Sequence, residues 1–137
     1  MNSHESQIQF VCYKGACGPT IMVLVPNFEL MLRLRAVFLE LSQSLGKTIS
    51  LPKELPSKVE NMDQFLLKSC GTKRGGFTLH RRWWTGRNIF TWTKSPEGWE
   101  DTYLLLDGPA DGRWHQYLTI EGLDDASVQV SYRERLI

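Results

Sequence analysis

Histidine, cysteine and carboxylate side chains are the ones that attack, transfer protons or ligate metals, and this chain spreads them thinly. The histidines are His4, His80 and His115; the cysteines are Cys12, Cys17 and Cys70. A structural zinc site needs four ligands, usually announced by closely spaced pairs. Cys12 and Cys17 do not form a CxxC pair, and Cys70 has no histidine close in sequence. No metal and no other cofactor is therefore expected. Cys17 precedes Gly18-Pro19 and has no nearby base, so it reads as part of a turn. GxSxG, HExxH and Walker-type loops are absent. Gly15-Ala-Cys-Gly and Lys73-Arg-Gly-Gly are generic glycine turns. One enzymatic arrangement remains, as the third-ranked reading. His80 or His115, with an arginine and Glu100 or Asp101, holds the groups for acid–base cleavage of a phosphodiester, a small phosphodiesterase or hydrolase. The leading expectation is a protein that is not an enzyme.

Charge is the least ordinary feature. From Lys68 to Lys94 the ionisable groups with full charge are all basic (Lys68, Lys73, Arg74, Arg81, Arg82, Arg87 and Lys94), a block of +7. From Glu97 to Asp125 eight acids face Arg113 alone, a block of −7. The formal net charge of +1 hides this segregation. Strands of opposite sign can pair across a sheet for register. A face of one sign can instead attract an oppositely charged partner.

The 137 residues, 42% hydrophobic, suit one domain over 1–137, with 1–6 expected to be flexible. Met1 to Gln9 lacks the basic and apolar segments of a secretory leader. With an odd cysteine count, that points to thiols in a reducing cytoplasm. The longest apolar-rich stretch, Phe28 to Leu45, contains Glu29, Arg33, Arg35 and Glu40. No membrane span is expected.

The elements that must position these groups follow from periodicity. Residues 7–13 and Ile21 to Val25 read as a hairpin across Lys14 to Pro19. Asn27 caps a helix whose stripe is Leu30, Leu34, Val37 and Leu41, widened by Met31, Phe38 and Leu45 and stopped by Gly46. Lys47 to Leu51 is a short strand, and Pro52 and Pro56 bracket a loop. Ser57 and Glu60 make a capping box for a second helix through Val59, Met62, Leu66 and Cys70, with Gly71 as its stop. Phe77 to Lys94 is a hairpin about Thr85-Gly86. Ser95-Pro96-Glu97 starts a third helix through Trp99, Tyr103 and Leu106, ending near Asp107-Gly108-Pro109. Thr102 to Leu106 reads alternatively as a strand. Arg113 to Ile120 and Ser127 to Arg133 form a last hairpin. The order is ββα(β)αββαββ, an α+β domain with a mainly antiparallel sheet of hairpins packed by two or three helices.

A turn at Thr85-Gly86 pairs Leu79 with Trp92 and Phe77 with Lys94. One face then carries Phe77, Leu79, Arg81, Trp83, Asn88, Phe90, Trp92 and Lys94, and reads as core. The other carries Thr78, His80, Arg82, Trp84, Arg87, Ile89, Thr91 and Thr93. All five tryptophans lie after residue 82, and most must be core. A cationic face of His80, Arg82, Trp84 and Arg87 would suit nucleic acid, with Trp84 stacking on bases. That is the alternative reading. The equal acidic block opposes it by repelling phosphate.

The preferred face is acidic: Asp107, Asp111, Glu121, Asp124 and Asp125, with Tyr103 and Tyr117 as aromatic neighbours. Acids in turns stay solvated and open to a basic partner. In type, as a small α+β chain with polarised charge and no catalytic motif, it is similar to the bacterial immunity proteins, which bind and neutralise a cognate toxin. That resemblance implies a cytoplasmic, stoichiometric inhibitor whose partner is a basic toxin domain.

Overall fold

The computed structural model describes residues 6–15, 18–71, 76–82, 87–119 and 126–133, with 76–82 and Arg87 described by their backbone. The first hairpin is β1 (Ile8–Gly15) with β2 (Gly18–Val25), antiparallel from Gln9↔Leu24 to Gly15↔Gly18. Its core face carries Ile8 and Phe10 opposite Val25 and Val23, all buried. Helix α1 (Phe28–Gln43) follows, and Asn27 caps it by accepting from the Leu30 N–H at 2.9 Å. Leu30, Met31, Leu34, Val37, Phe38 and Leu41 are its buried stripe. The helix stops at Gln43, before Gly46 turns the chain at φ +87°. Leu45 thus falls outside the stripe and is 66% exposed, contrary to the sequence expectation.

The short strand is present as β3 (Thr48–Ser50). The segment expected as a proline-bracketed loop begins with a one-turn helix, α2 (Leu51–Glu54), with Pro52 in its first turn, where a missing N–H costs nothing.

The expected second helix is instead two strands, β4 (Ser57–Glu60) and β5 (Gln64–Ser69). Phe65, Leu67 and Ser69 are buried while Gln64 and Lys68 are exposed, a period of two. A helix would have turned Phe65 and Leu67 to different sides, and both are core. The apparent capping box does not cap. Ser57 Oγ donates to the Pro52 carbonyl at 2.5 Å, and its strand lies parallel to β1. Asn61, at φ +60°, turns the chain between the two strands, a conformation asparagine tolerates better than most residues.

Strands β6 (Gly76–Arg82) and β7 (Arg87–Lys94) form the expected hairpin with a shifted register: Phe77↔Trp92, Leu79↔Phe90 and Arg82↔Arg87. The described strands end at Arg82 and Arg87, and the expected Thr85-Gly86 turn lies outside the described residues. A shift of two preserves which residues share a face. Phe90 and Trp92 are buried as expected, and Ile89, Thr91 and Thr93 are half-buried. Helix α3 (Pro96–Leu105) includes Thr102–Leu105, which settles that stretch as helix. The last hairpin is β8 (Trp114–Tyr117) with β9 (Ser127–Tyr132).

The fold is α+β. The hairpins are assembled into two mixed sheets, ordered β4-β1-β2-β9-β8 and β3-β5-β7-β6. Parallel pairs β1–β4, β2–β9 and β5–β7 knit hairpins that are themselves antiparallel. Aromatic rings join the layers. Phe10 meets Phe65 edge-on at 6.3 Å, Phe65 stacks on Trp92 at 6.4 Å, Trp92 meets Trp99 at 5.2 Å, and Trp99 stacks on Phe38 at 5.8 Å. The row runs from the first sheet through the second to both long helices, so it fixes α3 against α1. Trp99 Nε1 also donates to the Lys68 carbonyl at 3.0 Å, satisfying its one buried donor. No helix among the described residues is long and apolar enough to cross a membrane.

Candidate functional site

Helix α3 has two faces of opposite character. Ser95 Oγ accepts from the Gly98 N–H at 3.2 Å, and Pro96 occupies the first turn. From that start Trp99, Thr102 and Leu106 recur at helical spacing and are buried. Lys94, at the end of β7, donates to Thr102 Oγ1 at 2.7 Å with its ammonium over the Trp92 ring at 4.4 Å, which pins the helix from beneath. The outward face then carries Glu97, Glu100 and Asp101, followed by Leu104 and Leu105, 57% and 44% exposed. Glu97 in the first turn suits the helix dipole. The last turn has no basic residue, and Asp107 follows it, where the dipole disfavours a carboxylate. Asp107, unlike Glu97, is thus not placed for the helix's own stability.

The loop from α3 to β8 is seated on aromatic rings. Trp114 Nε1 donates to the Pro109 carbonyl at 3.0 Å, and the Tyr132 hydroxyl donates to the Ala110 carbonyl at 2.7 Å. The two rings lie 5.3 Å apart. Gly108 has the indole where a Cβ would stand, 2.5 Å from Trp114 Cε2, so only glycine permits this approach. Asp107 and Asp111 are exposed on the loop. Their backbone is held in place, so a partner would not have to order it.

Of the preferred residues, Asp107 and Asp111 sit together on this loop, continuous with the α3 face. Tyr103 does not join them as an open aromatic. It is half-buried beneath Arg35, whose guanidinium carbon lies 4.6 Å from the ring centroid. The same guanidinium reaches Asp107 at only 3.8 Å, with the Asp107 side chain 75% exposed. At that separation the pair is weak and the carboxylate stays open to solvent. Among the described residues no cation pairs with Glu97, Glu100, Asp101 or Asp111. Tyr117 is 55% exposed but lies on edge strand β8, ring to ring with His115 at 6.5 Å, on the face of the first sheet turned from the core. Glu121, Asp124 and Asp125 lie outside the described residues.

The alternative cationic residues occupy the second sheet. His80 pairs in register with Ile89, and Arg82 with Arg87; Trp84 lies outside the described residues. His80 and His115, the candidate acid–base histidines, belong to different sheets. No group of three or more His, Cys, Asp or Glu among the described residues is placed to hold a metal. Sequence reasoning missed Leu104 and Leu105 as part of the site. Their signal was available: two adjacent leucines next to acids, at positions of α3 outside the Trp99, Thr102 and Leu106 stripe. Compared with known proteins, the chain matches no family model, no curated protein and no solved structure.

Proposed function

We propose that this chain is a non-catalytic binding module that docks a basic protein through the acidic face of α3 and the loop behind it, in the manner of an immunity-type inhibitor of a toxin domain. The observation that carries this reading is an acidic helix face with two exposed leucines, continuous with a loop held in place by Trp114 and Tyr132. Charge of one sign steers a basic partner, and apolar side chains hold it once docked. Leu104 and Leu105 fill the apolar role first given to Tyr103. Four of the acids make no ion pair among the described residues, which leaves them available to a basic partner there.

The test is affinity capture from the native host with the full chain as bait, with and without nuclease treatment. A basic protein is expected to be retained in both arms, and lost when Glu100 and Asp101 are both reversed to Lys. Retention of nucleic acid alone, abolished by Arg82→Glu, would replace this reading with the cationic-hairpin one.

A further inference from the structure

Helix α1 carries apolar side chains that the core does not use. Phe28, Leu32 and Ala36 are exposed and Leu39 is half-buried. They stand four, four and three residues apart, which puts them on one stripe of the helix. With about 100° of turn per residue, Leu32 stands about 160° from Leu34, which is fully buried. Core packing explains Leu30, Leu34 and Leu41, and it does not explain this second stripe.

The stripe borders α3. Phe38 stacks on Trp99 at 5.8 Å. About one turn nearer the start of α1, the Arg35 guanidinium lies 4.6 Å from the Tyr103 ring centroid and 3.8 Å from Asp107. Residue numbers fall along α1 as they rise along α3, so the two helices run antiparallel. Rotation from the core, through the contact, to solvent passes Leu34, Arg35, Phe28 and Leu32 on α1. On α3 it passes Trp99, Tyr103, Asp107 and Leu104. Leu32 and Leu104 are thus the two lips of a groove floored by Arg35 on Tyr103. Leu105 turns away from α1 and lies outside it.

The two walls differ in chemistry. The α1 wall is apolar, formed by Phe28, Leu32 and Leu39. The α3 wall is acidic: Glu97, Glu100 and Asp107 stand around Leu104, all exposed. Of these acids only Asp107 has an ion pair among the described residues, the long one to Arg35. From Phe28 to Leu39 the groove runs about 16 Å, at about 1.5 Å per residue.

We infer that this groove seats one amphipathic helix of a partner protein, about three turns long. Its apolar stripe lies on Phe28, Leu32 and Leu39, and a row of Lys or Arg along one edge meets the α3 acids. The inference rests on the acidic-face reading and adds α1 to it. Charge complementarity selects this occupant, since a second copy of the chain would bring another set of the same acids into the contact.

The test titrates the full chain, by two-dimensional NMR, with a synthetic helix of about 14 residues, just longer than the groove. Its leucines are spaced by three and four in turn and its lysines line one edge. A peptide of the same composition with scrambled leucine positions is the control. Only the patterned peptide is expected to saturate, below about 1 mM, with shifts at Phe28, Leu32 and Leu104. Leu32→Asp should weaken it by about tenfold or more, as loss of a central apolar contact does. Leu45→Asp, exposed and beyond the end of α1, should not. Melting curves matching the parent check that both variants fold. Four results would each overturn the inference: no saturation; equal binding of the scrambled peptide; shifts confined to the acids of α3; or a dimer of the chain alone, seen by sedimentation and abolished by Leu32→Asp, which would make the occupant a second copy. Capture from the host separates this inference from the reading beneath it. A basic protein released by reversing Glu100 and Asp101 but still held by Leu32→Asp would keep the acidic face and remove the groove. Capture of no basic protein would remove the acidic-face reading itself.

Discussion

Replacing Gly108 by alanine should loosen the acidic loop without unfolding the protein. A Cβ there would stand 2.5 Å from Trp114 Cε2, 2.7 Å from Cζ2 and 2.9 Å from Nε1. Carbon atoms in contact sit at about 3.5–4.0 Å, so the loop and the indole must separate by about 1 Å. The ring is not free to yield, since it donates to Pro109 and packs on Tyr132. If the loop lifts, it gives up the bonds from Trp114 Nε1 and the Tyr132 hydroxyl, each about 1 kcal/mol net. Overpacking of this kind costs about 1–3 kcal/mol, and losing both bonds falls in the same range. Urea denaturation followed by tryptophan emission measures it, and the native emission should itself shift as Trp114 is exposed. Gly112→Ala is the control. It has nothing within 4 Å of the added Cβ but stands at φ +101°, so it should cost about 1 kcal/mol through backbone conformation alone. A Gly108→Ala protein within about 0.5 kcal/mol of the parent, with unchanged emission, would mean that the loop is not seated on Trp114.

Leu34 is fully buried on α1, so Leu34→Ala should cost about 2–5 kcal/mol by denaturant titration; a surface-sized effect would overturn the packing of that stripe. Ser95→Ala removes the cap of α3 and should cost about 1 kcal/mol, with helical circular dichroism slightly reduced. Reversing Glu100 and Asp101 to Lys should leave the melting temperature nearly unchanged and slow association with the captured partner by about tenfold or more at low salt, less at high salt. Chelator or reductant should not move the melting curve; a stoichiometric metal lost together with stability would contradict the reading of scattered cysteines and histidines.

The parts of the fold that were legible before the structure are those written in local chemistry. Asn27 before Leu30 and Leu34, and Ser95-Pro96 before Trp99, carry both the cap and the stripe of their helices within a few residues. The 57–70 segment failed because two periods fit the same letters. Val59, Met62, Leu66 and Cys70 step by three and four, while Phe65 and Leu67 step by two. The second pattern prevailed because the inter-sheet layer needs Phe65 and Leu67 on one side, against Phe10 and Trp92, a demand made by residues far away in the chain. Sheet order was invisible for the same reason: the parallel pairs β2–β9 and β5–β7 join segments with no local signature.

The candidate site divides along the same line. Charge is a property of the sequence, and the acids of the 97–111 stretch are exposed where the structure describes them. Which apolar groups stand beside those acids is a property of packing. Tyr103 reads as an available aromatic until α1 places Arg35 over its ring, a contact spanning 68 positions of chain. With Tyr103 covered, Leu104 and Leu105 become the apolar contribution of this face, one residue further along the same helix. Helix phase decides this. Trp99 and Thr102 are locked inward by Phe38, Trp92 and Lys94, and that fixes the next two leucines outward at the foot of the acidic loop. An α3 turned by one residue would bury a leucine and expose Tyr103, so the aromatic row in the core, and not the surface charge, determines what a partner meets there.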